Sequence, residues 1–258
     1  MGVTLGLVIP AYQPDVDRLQ SYTEELAAEL DPEEIRLELD AADDETVDQL
    51  ADLPVTVNAV PYRRGKGAAV TAGFEELETE ILAFADADGS TPPTELARVI
   101  DTVADGRADL AVGSRRHPEA SVSAHQTFAR RRLGDSFAWL ARRMLAVSLY
   151  DYQCGAKAIT ADGWETVRSH LYQSGFAWDI ELVAMAGALE LRVEEVPVKW
   201  HDMPGSTVSP IRDSLRFART LVVVRHRAKQ LRNSRLHTAI AERRAPPEAL
   251  VEKEQESQ

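Results

Sequence analysis

Ile81-Leu82-Ala83-Phe84-Ala85-Asp86-Ala87-Asp88-Gly89-Ser90 decides how this chain is read. The apolar run from Ile81 to Phe84 ends abruptly in two carboxylates spaced i and i+2. Along a strand, that spacing puts both side chains on one side. Two hard oxygen ligands at the open end of a buried strand suit a divalent cation that also holds a phosphate. An acidic turn closing a strand would show the same letters, so the rest of the chain has to separate the two readings.

Outward from this stretch, element types alternate. Val3 to Ile9 reads as a buried strand closed by Pro10, and Val16 to Leu30 as an amphipathic helix with acid in its first turn. Ile35 to Leu39 is a strand ending at Asp40, and Val55 to Val60 is a third. Gly67 to Leu77 reads as a helix. Pro92-Pro93 opens another that runs through Ala104, a position where proline is well tolerated. Leu110 to Val112 is a further strand. Such alternation over the first 113 residues predicts an α/β fold, an open Rossmann-like sheet flanked by helices. Ligands of such sheets bind beyond the carboxyl ends of the strands. Tyr12, Asp40 and Asp86 all fall at such ends.

The second half differs. Phe128 to Leu149 reads as one helix rich in Arg and apolar residues, Ala161 to Leu171 and Ile180 to Leu189 as helices, and Leu191 to Val198 as a strand. Ile211 to Leu231 reads as a basic amphipathic helix. These readings predict one domain over residues 1–210, a basic amphipathic helical segment over 211–244, and a polar, disordered tail over 245–258.

The chain has 258 residues and a net charge of −13, which excludes a general nucleic-acid binder. The charge is uneven: residues 15–52 are rich in Asp and Glu, whereas residues 211–244 carry ten Arg or Lys. A single cysteine, Cys154, rules out an internal disulfide and points to a reducing, cytoplasmic setting. The N-terminus lacks a signal-peptide pattern, and no apolar run approaches the roughly 20 residues of a membrane span. Any membrane contact is therefore expected to be peripheral.

Several motifs could carry chemistry. Arg63-Arg64-Gly65-Lys66-Gly67 lies between a strand and a helix, where glycines admit a ligand to the backbone and Lys66 adds a point charge beside a helix N-terminus. Its spacing is not that of a P-loop. Trp178-Asp179-Ile180-Glu181 begins a helix; its acids serve either as dipole-matched first-turn residues or as groups over an acceptor site. Arg115, Arg131 and Arg132 are candidates for seating a phosphate, which the resemblance given below implies is that of the acceptor, because Arg suits bidentate contacts. The six histidines show no metal-ligand spacing. Cys154 has no evident His partner and reads as a small packing residue.

Taken in order, these stretches resemble the family-2 glycosyltransferases of the GT-A fold, an open mixed sheet flanked by helices. The resemblance covers about residues 4–230. It rests on Val8-Ile9-Pro10-Ala11-Tyr12, Arg64-Gly65-Lys66-Gly67-Ala68-Ala69, Asp86-Ala87-Asp88-Gly89, Gly113-Ser114-Arg115, Asp151-x-Gln153-Cys154-Gly155-x-Lys157 and Glu195-Val196-Pro197-Val198. More narrowly the chain resembles the polyprenyl-phosphate hexosyltransferases. Gln153-Cys154-Gly155, Trp178-Asp179-Ile180-Glu181, Gly205-Ser206 and Asp86-Ala87-Asp88-Gly89-Ser90 lean toward the dolichyl-phosphate glucosyltransferase branch.

The resemblance implies an inverting, metal-dependent hexosyltransferase with a nucleotide sugar, UDP-linked, as donor and dolichyl or another polyprenyl phosphate as acceptor, working in the synthesis of lipid-linked glycans. It assigns the nucleotide sugar to Pro10, Ala11, Tyr12, Asp40, Lys66 and Asp86, and Mg2+ or Mn2+ to Asp86 and Asp88. Asp88, with Asp179 and Glu181, makes up the expected catalytic set. The basic helices would bring the protein to the cytoplasmic face of a membrane as a peripheral partner. The chain departs from the family pattern at Gln13-Pro14, at Asp40-Ala41-Ala42-Asp43-Asp44 and at Thr207. Which of those acids meets the base stays open. Two other functions remain: transfer to a sugar hydroxyl, with Asp179 as base, and non-catalytic binding of nucleotide sugars at a membrane.

Overall fold

Apolar runs bounded by glycine, proline and acid make the strands, and apolar residues spaced three and four apart make the helices. The computed structural model describes residues 2–123, 138–201, 210–232 and 248–255. Its strands are β1 (Leu5–Tyr12), β2 (Glu34–Asp40), β3 (Thr56–Val60), β4 (Ile81–Ala85), β5 (Leu110–Ser114), β6 (Ser121–Ser123), β7 (Ala156–Thr160), β8 (Val193–Pro197) and β9 (Lys199–His201). The helices are α1 (Val16–Leu30), α2 (Asp44–Leu50), α3 (Lys66–Glu75), α4 (Pro93–Ala104), α5 (residues 138–144), α6 (Ala161–Val167), α7 (Trp178–Ala188), α8 (Pro210–Leu231) and α9 (Leu250–Gln255).

Seven strands form one sheet in the order β3-β2-β1-β4-β7-β5-β8, and β6 pairs with β9 in a small second sheet. The pairs β3–β2, β2–β1, β1–β4 and β5–β8 are parallel. Among the described strands only β7, inserted between β4 and β5, runs antiparallel to its neighbours. The sheet is therefore mixed, as the family resemblance implies.

Side chains alternate across the sheet and build a core on each face. Val8, Leu82, Phe84, Val112 and Ile159 join Phe74, Trp164, Trp178 and the apolar residues of α7 on one side. Leu7, Ile9, Ile81, Ala83 and Ala158 join Leu19, Leu26, Leu96 and Val99 of α1 and α4 on the other. The Asp15 carboxylate caps α1 by accepting the Arg18 N–H, and Leu19, Tyr22, Thr23 and Leu26 form its buried stripe. α7 is buried around almost its whole circumference, in keeping with its place inside the first core.

Besides α2, β6 and β9, which have no counterpart in the sequence reading, the structure departs from it in four places. β1 does not close at Pro10 but runs on to Tyr12, in register with β2 as far as Asp40. Its pairing with β4 ends at Val8, so Pro10 is paired on one side only, a context in which strands accept proline. β7 has no counterpart in the reading, because Ala-Lys-Ala-Ile-Thr is short and carries a lysine. The helix expected over Phe128–Leu149 lies partly outside the described residues, and its described part ends at residue 144. Beyond it, the Tyr152 hydroxyl donates to the Val147 carbonyl and accepts the Leu149 N–H.

The tail is the fourth departure. Disorder is expected over 245–258, yet Leu250–Gln255 is helical. Ala249, Leu250 and Val251 are buried in the first core, and the Leu250 N–H donates to the Leu171 carbonyl at 2.9 Å. Three apolar residues among charged ones are too few to show as a period, yet enough to dock a single turn. Leu250→Ala is expected to cost about 2–3 kcal/mol in urea unfolding, the ordinary cost of emptying a buried leucine site. An unchanged midpoint would contradict the docking.

Candidate functional site

The carboxyl ends of β1, β2 and β4 bring Tyr12, Asp40 and Asp86 to one edge of the sheet, as expected for an α/β sheet. Asp86 follows β4 directly, and its N–H donates to the Gly155 carbonyl at 3.0 Å. A Cβ at Gly155 would collide with the Asp86 carboxylate, so glycine there lets the acid lie against the backbone leading into β7. The turn then reverses through Gly89 at φ 68°, and Asp88 Oδ1 accepts the Ser90 N–H at 2.9 Å. Tyr22 of α1 packs beneath, its hydroxyl donating to the Thr91 carbonyl at 2.7 Å. Burial first, and then the neighbouring Asp86 carboxylate, push the Asp88 pKa above its ordinary value. A site that raises the cost of its own negative charge is suited to a cation.

Lys66 opens α3. Gly65 before it sits at φ 98°, and a Cβ there would come within 2.6 Å of the Ser174 carbonyl oxygen. The same carbonyl accepts the Ala68 N–H, fixing the start of the helix. Lys66 Nζ lies 2.9 Å from Asp86 Oδ1 and 2.9 Å from Asp179 Oδ2. Asp179, in the first turn of α7, also receives Lys157 Nζ from β7 at 2.5 Å. Lys157 is 1 % exposed and donates as well to the Cys154 carbonyl at 2.7 Å. The four side chains form an alternating row: Lys157, Asp179, Lys66, Asp86. Burial alone would lower the Lys66 pKa, but the Asp179 and Asp86 carboxylates outweigh it and hold it above the usual value. Burial alone would raise the Asp179 pKa, but Lys157 and Lys66 outweigh it and hold the carboxyl below its usual range.

Beside this row, Asp40 accepts the Arg64 Nε–H at 2.8 Å and the Gly65 N–H at 2.6 Å. Of the other acids in that segment, Asp43 caps α2 through the Thr46 N–H and Asp44 stands in the first turn of that helix. Pro10 and Ala11 are buried in β1, whereas the Tyr12 ring is exposed with the Arg63 guanidinium 4.0 Å from its centroid. A flat aromatic face next to Asp40 suits a nucleobase.

The remaining expected residues are placed differently. Arg115 forks onto Asp151, with Nε to Oδ2 at 2.6 Å and Nη2 to Oδ1 at 3.0 Å. Glu195 of β8 accepts the N–H groups of Tyr150 and Asp151, fixing that acid in turn. Glu181 does not join the row: its buried carboxylate accepts the Tyr172 and Gln173 N–H groups and pairs with Arg227 of α8. Arg131 and Arg132 lie outside the described residues. Cys154 is buried, and burial pushes its thiol up to about 11, which suits packing. Lys157 carries no role in the sequence reading, and only its place in the motif with Cys154 and Gly155 could have drawn notice to it.

Among the described residues no three His, Cys, Asp or Glu side chains gather as a metal cage. The pair that fits a divalent cation is Asp86 and Asp88, two oxygen donors on one turn that leave the other ligands to a diphosphate. Nearby, Arg115 outweighs the burial that would raise the Asp151 pKa and holds that carboxyl far below its usual range. Such a pair stabilises the fold fully above the unfolded carboxylate pKa and loses that contribution as pH falls toward the folded value. Asp151→Asn is therefore expected to cost about 3 kcal/mol at pH 7. Its deficit should shrink below about pH 4, as read from urea unfolding at both pH values.

The model of the family described as "Glycosyl transferase family 2" matches residues 7–142, just over half of the chain. Glycosyltransferase AglD of Haloferax volcanii is 29% identical over 226 residues, 83% of this chain and 36% of that protein. Dolichyl-phosphate beta-glucosyltransferase of Drosophila melanogaster is 30% identical over 241 residues, 85% of this chain and 74% of that protein. The chain thus spans about a third of the first relative and three quarters of the second. Among solved structures, glucosyl-3-phosphoglycerate synthase from Mycobacterium tuberculosis in complex with Mn2+ and UDP-glucose superposes with a TM-score of 0.68 at 17% identity, over 87% of this chain and 79% of that one. That likeness is one of fold.

Proposed function

We propose, from the premise that the chain belongs to glycosyl transferase family 2, that it moves a hexose from a nucleotide sugar, UDP-glucose or a close analogue, to dolichyl or another polyprenyl phosphate. The observation that carries this reading is the row Lys157–Asp179–Lys66–Asp86 beside Asp88 and Asp40, at the carboxyl edge of the sheet. In it, Tyr12 and Asp40 receive the nucleoside and Lys66 the diphosphate. The relative from Drosophila, whose name states a dolichyl-phosphate acceptor, supports the choice of acceptor.

Asp86 and Asp88 would hold Mg2+ or Mn2+. When bound there, the ion would neutralise charge on the diphosphate leaving group. A polyprenyl phosphate is already an anion at neutral pH, so its oxygen attacks the anomeric carbon without surrendering a proton. The C–O bond to the diphosphate breaks as the new one forms, with inversion. This chemistry matches the state of Asp179. A carboxylate held between two lysines, with its pKa below the usual range, is a poor proton acceptor and a good orienting group. Transfer to a sugar hydroxyl, which needs a base, is disfavoured on that ground.

Arg115 keeps its fork on Asp151 and acts toward the acceptor phosphate as nearby positive charge; Arg131 and Arg132 are proposed to share that work. Glu181 is a positioning group, tying α8 to the segment that buttresses α3. Among the described residues no helix is long and apolar enough to cross a membrane. The basic segment 211–244 is proposed to lie on anionic headgroups at the cytoplasmic face. Val222 and Val223 stand exposed at 59 % and 36 % between Arg219 and Arg225, which supports that placement.

The test is transfer of labelled sugar from a panel of UDP- and GDP-sugars to dolichyl phosphate in detergent, with Mn2+, Mg2+ or EDTA. One donor should give chloroform-soluble product that EDTA abolishes. Asp88→Asn should lose on the order of a hundredfold or more in turnover while its far-UV dichroism is unchanged. Normal turnover in that variant, or label found only on a water-soluble sugar, would contradict the proposal.

A further inference from the structure

We propose that Lys66 is a tethered cation that stands in for the divalent metal at Asp86 whenever the donor is absent, so that metal and nucleotide diphosphate bind as a pair. The inference rests on the donor-site reading above and adds the order in which that site fills.

Lys66 Nζ is 2.9 Å from Asp86 Oδ1, so an ammonium already takes one oxygen of the proposed metal ligand. The ammonium is well enclosed, its side chain 8 % exposed. A divalent ion arriving alone would meet a positive charge in contact with its own ligand. It would have to leave that charge on Asp179 alone, a carboxylate that Lys157 already neutralises. A diphosphate changes this balance, because it offers oxygens both to Lys66 and to the metal. Lys66 then moves from one anion to another, and Asp86 is freed.

The row is built so that this exchange leaves no buried charge unpaired. Asp179, the second partner of Lys66, keeps Lys157 at 2.5 Å when Lys66 turns away. Lys157 cannot follow, being buried in β7 and hydrogen-bonded to the Cys154 carbonyl. Asp86 cannot retreat either: its N–H is held by the Gly155 carbonyl, and its carboxylate lies against Gly155. One lysine is thus fixed by a backbone carbonyl as well as an acid, and the other is held by its two acids and the face of the Phe84 ring. Because coupling between two ligands is reciprocal, the metal should tighten the diphosphate as much as the diphosphate tightens the metal.

The test is Mn2+ binding to the full chain, followed by the electron paramagnetic resonance of free Mn2+, with no nucleotide and then with saturating UDP. Lys66→Met, which removes the competing ammonium, is expected to bind Mn2+ alone about tenfold more tightly than the unaltered protein, in line with an opposite charge lost from a carboxylate's first neighbours. The extra tightening produced by UDP should shrink by a similar factor. Lys66→Gln serves equally should the methionine variant fail to fold. Arg63→Gln removes the same charge nearby without touching Asp86, and its Mn2+ affinity should stay within about twofold of the unaltered protein. Unchanged or weaker Mn2+ binding in the Lys66 variants, or equal tightening in Arg63→Gln, would overturn the proposal. Absence of Mn2+ binding to the unaltered protein with either UDP or GDP would contradict the donor-site reading itself, and the proposal with it.

Discussion

One buried carboxylate, Asp179, shared between two lysines from different parts of the chain, is the interaction on which the rest of the site depends. An isolated carboxylate at that depth would cost several kcal/mol to keep ionised, and so would either lysine alone. The three join separate elements, Lys66 at the start of α3, Lys157 in β7 and Asp179 at the start of α7, and the one positive charge left over is balanced by a second carboxylate. Asp86 at the end of β4 becomes the fourth member because the first lysine has reach to spare. Buried ion pairs are weak evidence for stability in themselves. Their value here is geometric, since they set where four charges stand at the carboxyl edge of the sheet.

The antiparallel insertion of β7 makes this arrangement possible. By running against β4 and β5, it carries Gly155 to the end of the sheet where β4 releases Asp86. Lys157 follows two residues later, on the same side of the strand. A parallel strand in that slot would begin where β4 begins and would deliver those residues to the opposite edge. The mixed character of the sheet is therefore a condition of the site. The long-range contacts of Glu181 extend the same construction, linking α8 to the segment before α7 whose Ser174 carbonyl fixes the start of α3.

Much of this was legible in the sequence. The alternation of apolar runs and amphipathic segments marks the first half of the sheet to within a few residues, because β1, β4 and β5 are almost wholly apolar, β2 and β3 alternate apolar with polar, and the helices are capped by Asp15 or opened by Pro93. Asp40, Lys66, Asp86 and Asp88 were found because each lies in a short motif at a strand end. β7 escaped because it is short and interrupted by a lysine, whose charge partner lies 22 residues away in sequence. Glu181 is grouped with Asp179 in the sequence because both are first-turn acids of the motif Trp178-Asp179-Ile180-Glu181. Two positions on, a helix turns its side chains through about 200°, which is enough to send one acid into the donor row and the other to Arg227. The docked tail at Leu250 escaped for a related reason: its partners lie far away in sequence, and composition sees only its charge.

The account stands or falls on whether this row of charges is a donor site. A crystal structure with UDP and Mn2+ measures that most directly. The account predicts the ion on Asp86 and Asp88, the uridine between Tyr12 and Asp40, and Lys66 Nζ moved from Asp86 onto a phosphate oxygen while Lys157 stays on Asp179. Nucleotide bound elsewhere on the protein, or bound at this edge with Lys66 still on Asp86 and no ion beside it, would contradict it.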